Sequence, residues 1–404
     1  MIINSSIPCS GTLIPPKPVS NGCLLMLFLI TRHGARSPSQ DWAKKEYAGN
    51  WECGNRFNTG FWRTPIVNGK KMDIYKNNPN EVEFLTEKEK QESSSFFDLS
   101  KNEYKVAFPP SCPNGNLLDL GVDQLVDLGK LYYHYLVNTT KLLPSKFNPK
   151  NILVRSSFVP RCVESAVAII NGMYPPENNS EILNITTGQY RNEPLCPYSE
   201  STDEFVELSK EFVKKDEFKK RKEYFEKLKN LHKYLNAKLD NEMDNLVVAD
   251  FLNCFRCSGN ELPLPPYNEK NSNDDEVALT KNDYEQLMSN MAFWEAGFLD
   301  FAGNLSYSPI FQLILEHIDK MFSMDEQTAK FILFSGHDVS ISAIMVALGY
   351  LDLIAPPPFA SHLAVELWQT EKPCLRFVYN GEVLQFKGKD LTPLDEFKSI
   401  FFPK

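Results

Sequence analysis

The sequence contains no apolar stretch long enough to cross a membrane. Its early apolar run, Cys23 to Ile30, has eight residues, and no later run reaches the length of about 20 residues that a membrane helix requires. We therefore predict no integral membrane segment. The first twenty residues also lack a basic segment followed by an apolar core, so an exported protein would need either a leader outside this chain or an unconventional route.

Two further patterns are missing. The net charge is -9 at pH 7 and no basic patch with interleaved aromatic residues is present, which argues against a nucleic acid partner. The six histidines do not show the spacing of metal ligands, and we predict no metal and no other cofactor. Because the overall charge repels anions, binding of a phosphate would depend on arginines that are concentrated at one place.

The residues that are present favour a large folded protein of the secretory route. A length of 404 residues and a hydrophobic content of 42% suit a large α/β domain with a second lobe. Nine cysteines and five glycosylation sequons together favour an oxidising compartment, so we expect a secreted or lysosomal glycoprotein with disulfide bonds. The sequons begin at Asn4, Asn138, Asn178, Asn184 and Asn304.

The stretch from residue 24 to residue 38 organises the chain. Leu24 to Ile30 is an unbroken apolar run of strand length, which predicts a strand buried on both faces. The run ends abruptly at Arg32, His33 and Arg36, within a turn that contains glycine and proline. These residues follow the carboxyl end of the strand, where open α/β sheets keep their sites. Two guanidinium groups around an imidazole predict a phosphate subsite with a nucleophile inside it.

A second segment repeats the pattern of a buried strand, polar residues and a helix. Phe331 to Phe334 predicts a strand, His337 and Asp338 follow it, and Ser340 to Leu348 predicts an apolar helix. Asp338 has an alternative interpretation as an ordinary helix N-cap, a position at which Asp is common.

A third segment has the same organisation. Asn151 to Val154 predicts a strand, Arg161 follows it, and Val163 to Ile170 predicts a helix that stops at Gly172. We interpret Arg155, directly after this strand, as a structural arginine.

These segments resemble the motifs of one enzyme family. RHGARSP at 32–38 is similar to the RHGxRxP motif of the histidine acid phosphatases, and SGHD at 335–338 is similar to their HD motif. RSSFVPR at 155–161 resembles the family's RSTDxDRT segment, and residues 115–129 resemble a scaffold helix that we expect from Leu117 to Tyr135. Phe158 and Pro160 stand where the family has two aspartates that orient and neutralise its arginines.

The resemblance implies an α/β fold, with a three-layer, doubly wound mixed sheet like that of phosphoglycerate mutases and a smaller, mainly α-helical cap domain. It implies hydrolysis of a small-molecule phosphomonoester without a cofactor, with His33 as the nucleophile and Asp338 as the proton donor. The implied phosphate ligands are Arg32, Arg36, Arg161 and His337.

The expected organisation of the chain has five parts. Residues 1–38 form an N-terminal arm, the first core strand and the nucleophile loop, and 39–114 form an insertion that is either a lid or a surface decoration. Residues 115–195 and 301–404 form the α/β core, and 196–300 form the helical cap. We predict a disulfide between Cys53 and Cys112 inside the insertion. For Cys254 and Cys257, a disulfide role is favoured over a zinc site.

Other functions remain open at this point. A phosphomutase shares part of the first motif but continues differently after it. A non-catalytic phosphate-binding or cell-surface interaction protein would not need both His33 and Asp338. Among phosphatases, the sequence does not separate a general acid phosphatase from enzymes specialised for inositol polyphosphates, phosphorylated sugars or lysophosphatidate. A homodimer is also left open.

Overall fold

The three-dimensional structure is a computed structural model. It describes residues 5–39, 51–53, 56, 61, 112, 114–177, 183–187, 193–196, 203–217, 244–261, 280–323 and 328–403. Most of the insertion predicted from 39 to 114 lies outside these ranges. Apolar residues at helical spacing also predict a helical stripe from Phe218 to Leu235 in the cap, and this stripe lies outside the ranges too. The predictions made for those residues, and the division of the chain into five parts, stay predictions.

A mixed sheet of eight strands lies at the centre of the described residues. The strands are β1 Cys23–Arg32, β2 Ile152–Ser156, β3 Thr186–Thr187, β4 Phe331–Gly336, β5 His362–Gln369, β6 Pro373–Tyr379, β7 Glu382–Leu384 and β8 Thr392–Pro393. Their order is β3-β2-β4-β1-β5-β6-β7, and β8 pairs with β6. The first four strands of this order run parallel, and β5, β6 and β7 pair antiparallel with their neighbours.

Eight α-helices lie in the same described ranges. They are α1 Asp119–Tyr133, α2 Pro160–Met173, α3 Asp203–Phe212, α4 Asp244–Cys257, α5 Lys281–Ala302, α6 Asn304–Phe322, α7 Asp338–Ala347 and α8 Leu394–Phe401. Helix α1 continues into a π-helical segment, His134–Thr139. None of the helices in the described ranges has the length and apolarity that crossing a membrane requires.

The side chains of β1 alternate between two apolar layers, because successive residues of a strand point to opposite faces of a sheet. Leu27 and Leu29 belong to one core cluster, which also contains buried residues of α1 and α2. Phe28 and Ile30 belong to another, which contains buried residues of α6, α7 and α8. Helices therefore cover both faces of the sheet, and the predicted three-layer α/β fold is confirmed.

The predicted cap region contributes helices α3, α4 and α5. Phe205 and Phe212 of α3 pack against Phe298 of α5 in one apolar cluster. Helix α4 packs with α5 and with Ile7 of the N-terminal arm in another. The apolar residues of α3 recur at helical spacing, at Phe205, Leu208 and Phe212. The clusters explain this spacing, because each buried stripe faces a neighbouring helix.

Two disulfides join distant parts of the chain. Cys53 is bonded to Cys112, as predicted, and Cys9 is bonded to Cys257. Cys254 remains a buried thiol. The disulfide role expected for the Cys254 and Cys257 pair is therefore correct for Cys257 and wrong for Cys254, because the partner of Cys257 comes from the arm.

Several predicted helix boundaries are corrected. Helix α1 begins at Asp119 rather than Leu117, and α7 begins at Asp338 rather than Ser340. Proline is common at the first position of a helix, so the sequence predicts that α6 begins at Pro309. The helix begins five residues earlier and contains that proline. Burial of Ile310 and its neighbours on the same face continues across the proline, so tertiary packing outweighs the backbone hydrogen bond that proline removes.

The carboxyl-terminal segment is corrected in a similar way. From the sequence, Thr392 and Pro393 predict the start of the last helix. In the structure they form the short strand β8, and α8 begins at Leu394. The predicted hairpin turn is present at Asn380 and Gly381, both of which have positive φ angles.

Helix α2 also runs past its predicted stop at Gly172 and ends at Met173. Gly172 does not end the helix but lies where α2 contacts α1. A Cβ at Gly172 would collide with the backbone of Val126 in α1, and a Cβ at Gly129 would collide with the carbonyl oxygen of Ile169 in α2. The two helices thus touch through their backbones. Close approach explains why α2 keeps a glycine in its interior, where it costs about 1 kcal/mol relative to alanine.

We expect Gly172→Ala to lower the free energy of unfolding by about 1–3 kcal/mol, because the added methyl group forces α1 and α2 apart. Gly297→Ala in α5 is a matched control, since its Cβ would first meet the ring of Phe212 at 3.2 Å and a ring edge can shift. The control should stay within about 1 kcal/mol of the unsubstituted protein. Urea unfolding followed by circular dichroism measures both, and equal stabilities of the two variants would contradict the backbone contact.

Candidate active site

Strands β1, β2 and β4 end side by side, and the polar residues predicted from the sequence follow those ends. The backbone N–H of His33 donates to the carbonyl oxygen of Gly336 at 3.1 Å, and that of Ser157 donates to Ser335 at 2.9 Å. The rings of His33 and His337 stand edge to face, with centroids 5.7 Å apart. The two strand–turn–helix units therefore bring both histidines to one edge of the sheet.

The turn after β1 sets the protonation of His33. Its ring is buried, and its Nδ1 lies 2.9 Å from the carbonyl oxygen of Gly34. A carbonyl oxygen only accepts hydrogen bonds, so Nδ1 carries the proton of the neutral ring and Nε2 keeps its lone pair. The turn requires glycine, because a Cβ at Gly34 would collide with the backbone of Gly121 in α1.

Burial is the largest cause that holds the pKa of His33 well below its usual value of 6.5. The next causes are the positive charges of Arg161, Arg32 and Arg36. Burial and the same arginines also lower the pKa of His337. Both rings are therefore neutral at mildly acidic pH, where a free histidine would be protonated.

Arg32 is held on three sides. Its Nη1 donates to the carbonyl oxygen of Pro357 at 2.5 Å, and its Nη2 pairs with the carboxylate of Asp338 at 2.8 Å. Its guanidinium group also lies 4.4 Å from the centroid of the Phe359 ring. Asp338 is the first residue of α7 and His337 is the N-cap, so the alternative interpretation of Asp338 as an N-cap is wrong.

Arg36 is held by a residue of the helical region. Its Nη2 lies 2.8 Å from both carboxylate oxygens of Asp250 in α4, and its Nη1 contacts the Sγ of Cys254 at 3.3 Å. Burial disfavours the charged form of Arg36, but Asp250 and the other neighbouring groups outweigh this effect and raise the pKa of Arg36. No sequence pattern singles out Asp250, since it is one of many charged residues in a helical stretch and lies 214 positions from Arg36.

Arg161 and His337 complete the group of predicted residues. Arg161 stands in the first turn of α2, half-buried, and burial and the charge of Arg36 lower its pKa. The Nε2 of His337 lies 2.9 Å from the hydroxyl of Ser157 and 3.6 Å from the Sγ of Cys162. These two supporting residues were visible in the sequence as part of the third segment, but no pattern assigned them to His337.

Arg155 lies apart from this group. It pairs with Glu193 at 3.4 Å, which agrees with its interpretation as a structural arginine.

The six predicted residues therefore form one cluster that is suited to an anion. Three arginines face the carboxylates of Asp250 and Asp338, which leaves one net positive charge when both histidines are neutral. Each of the three arginines also has a buried Nε without a hydrogen-bond partner among the described residues. An unsatisfied buried donor costs about 1–3 kcal/mol, so oxygen atoms of a bound anion would be stabilising here.

Comparison with known proteins identifies the family. A sheet edge that carries two neutral histidines and three arginines defines a phosphate-handling α/β protein. The model of the histidine phosphatase superfamily, branch 2, matches residues 24–380. The match covers most of the chain, and the chain belongs to this family.

Individual relatives have low sequence identity, but their alignments cover most of the chain. The chain is 25% identical over 393 residues to counting factor 60 of Dictyostelium discoideum, which covers 93% of this chain and 84% of that protein. It is 23% identical over 390 residues to lysophosphatidic acid phosphatase type 6 of Bos taurus, with coverage of 93% and 82%. The apo structure of the phytase of Hafnia alvei matches 95% of this chain and 97% of its own, with a TM-score of 0.55. At 12% identity this last likeness shows the fold alone.

These findings confirm three predictions made from the sequence. The family is that of the histidine acid phosphatases and the enzyme class is that of the phosphoric monoester hydrolases. The fold is α/β.

We expect His33 to stay neutral as the pH falls from 7 through 6.5, the usual pKa of a histidine, because burial and the nearby arginines lower its pKa. Arg161→Met removes a positive charge next to the ring, so it should raise the pKa of His33 toward its usual value. NMR titration of labelled histidine, assigned with His33→Asn, measures both. Lys130→Met is the control, since Lys130 is exposed and pairs with Asp127. Titration of His33 near pH 6.5 in the unsubstituted protein would contradict the buried, positive environment.

Proposed function

We propose that this protein is an acid phosphatase that hydrolyses phosphate monoesters through a phosphohistidine on His33. The observation that carries the proposal is the buried ring of His33, whose Nδ1 faces the carbonyl oxygen of Gly34 and whose Nε2 keeps its lone pair. A neutral imidazole with a fixed tautomer is a competent nucleophile. The lowered pKa keeps this form populated at acidic pH.

In the first step, Nε2 of His33 forms a bond to phosphorus while the bond from phosphorus to the ester oxygen breaks. Negative charge accumulates on the three remaining phosphate oxygens, which Arg32, Arg36, Arg161 and His337 bind. Guanidinium groups suit this task because their donors match phosphate geometry and the charge is already in place before the reaction. Asp338, in its protonated form, gives its proton to the departing ester oxygen, so an alcohol leaves.

In the second step, water attacks phosphorus from the side that the alcohol has left. The bond from phosphorus to His33 breaks, and inorganic phosphate and the neutral imidazole are regenerated. The carboxylate of Asp338 accepts the proton of the water, which restores its protonated form for the next cycle. The position of Asp338 at the start of α7, directly after His337, supports its use on both the alcohol and the water.

The names of similar proteins indicate candidate physiological substrates. Relatives of the chain carry the names lysophosphatidic acid phosphatase and 2-phosphoxylose phosphatase, and similar folds include phytases. A substrate-specialised phosphatase of one of these kinds is therefore the alternative to a general acid phosphatase. Turnover of a panel of phosphomonoesters at several pH values decides between them, and binding of phosphate without any turnover would instead indicate a non-catalytic protein.

We also infer a secreted or lysosomal glycoprotein. The two disulfides support an oxidising compartment. The sequon asparagines at 138, 184 and 304 are exposed on the folded surface, where a glycan has room. Peptide mapping of the protein from its natural source tests this inference, and unmodified asparagine at all five sequons would contradict glycosylation.

Replacing His33 with alanine should lower kcat by at least about 10³-fold, because it removes the nucleophile that forms the covalent intermediate. The fold should remain intact by circular dichroism, since His33 follows a strand end. His134→Ala is the control, because His134 is exposed in the π-helical segment, and it should keep normal turnover. Rapid quenching with labelled substrate should place acid-labile phosphate on His33. Label on another residue, or near-normal turnover by the alanine variant, would sink the mechanism.

Asp338→Asn should lose activity selectively on poor leaving groups. An alkyl phosphate needs a proton on its departing oxygen, so its kcat should fall by about 10²-fold or more. With p-nitrophenyl phosphate the leaving group departs as p-nitrophenolate without a proton, so kcat should fall less. Loss of the ion pair with Arg32 affects both substrates alike, so the ratio of the two rates isolates proton donation. Equal losses on both substrates would mean that Asp338 acts on Arg32 alone.

A further inference from the structure

The contact between Arg36 and Asp250 joins the phosphate site to the helical region. The two side chains are nearly inaccessible, with exposed fractions of 7% and 10%, and Asp250 places both carboxylate oxygens on one nitrogen of Arg36. The other terminal nitrogen is occupied by the carbonyl oxygen of Ser37 at 3.1 Å and by Cys254. Arg36 therefore has a defined pose, and Asp250 is the charged member of the group that defines it.

Asp250 is one of two carboxylates that pair with arginines of the phosphate site. In the loop after β2, residues 157–160 are Ser157, Phe158, Val159 and Pro160, so that loop brings no carboxylate to the arginines. Without Asp250, Asp338 would be the one carboxylate of the described residues in ion-pair contact with these arginines, and the net charge of the site would rise by one positive unit. A site with more charge holds the product phosphate more tightly, which slows its release.

We infer that Asp250 is a positioning residue that fixes Arg36 and limits the positive charge of the phosphate site, so that inorganic phosphate can leave after each turnover. The inference rests on the proposed function only for the identity of the anion. The charge of Asp250 has a definite effect on phosphate affinity. A carboxylate next to Arg36 repels the phosphate, so removing its charge should strengthen phosphate binding even though Arg36 loses a partner.

The direction of this effect separates the inference from a purely structural role. If Asp250 only supported the fold, its loss would leave Arg36 buried without its counter-ion, and phosphate binding and stability would decline together. If Asp250 limits the charge of the site, phosphate binding becomes tighter and turnover becomes slower. Affinity and kcat then move in opposite directions.

The experiment measures the Kd of inorganic phosphate by calorimetry, together with kcat for p-nitrophenyl phosphate. Asp250→Asn should tighten phosphate binding by about tenfold, the factor that corresponds to roughly 1.4 kcal/mol, and should lower kcat several-fold. Val248→Ala is the matched control on α4, because it removes buried apolar volume and no charge. It should lower the melting temperature and leave the Kd of phosphate unchanged.

A second pair of variants tests the same inference if Asp250→Asn alone folds poorly. Arg36→Met should weaken phosphate binding, because it removes a ligand and leaves Asp250 without its counter-ion. Arg36→Met combined with Asp250→Asn should recover part of that affinity, since the repelling charge is gone. Further weakening in the double variant, or weaker or unchanged binding by Asp250→Asn, would overturn the inference.

Phosphate binding without turnover in the unsubstituted protein would contradict the proposed function, and the comparison of phosphate Kd values would still test the inference. Absence of phosphate binding in the unsubstituted protein would overturn both.

Discussion

The parallel pairing of β1 with β4 is the interaction on which the rest of the structure depends. In its register Ile30 lies opposite Phe334 and Arg32 lies opposite Gly336, so the next residues of both strands, His33 and His337, leave the sheet side by side. A shift of one residue would turn Leu29 and Ile30 to the wrong layers, because strand side chains alternate between faces. The two apolar cores therefore fix the distance between the two histidines.

Collecting three arginines at a sheet edge brings like charges together, and the fold offsets this repulsion with specific partners. Asp338 and the ring of Phe359 stabilise Arg32, and Asp250 stabilises Arg36. The histidines add no charge, since burial keeps them neutral. A site assembled in this way can bind an anion without the reorganisation that water would need, which is the basis of electrostatic catalysis.

Sequence patterns were sufficient wherever the determining contacts are local. The apolar run before Arg32 and the run before His337 predicted their strands, and both strand ends carry the expected site residues. Patterns failed where the determining contact is distant along the chain. The sequence predicts a helix stop at Gly172, because its partner, Val126 in α1, is visible only in the packed structure. Asp250 was missed for the same reason, since helical periodicity does not indicate which charged residue turns toward a site.

A series of contacts between distant parts of the chain also holds the arginines and His33 in place, and it passes through the N-terminal arm. Helix α4 holds Arg36 through Asp250, and its last residue, Cys257, is bonded to Cys9 of the arm. Two residues further on, the N–H of Gly11 donates to the carbonyl oxygen of Phe359 at 2.8 Å, and the Phe359 ring lies against both Arg32 and His33. The arm thus closes a ring of contacts from the helical region to the nucleophile. Because the pose of each catalytic candidate depends on a partner from another part of the chain, the site forms only when the sheet, the arm and the helical region are all in place.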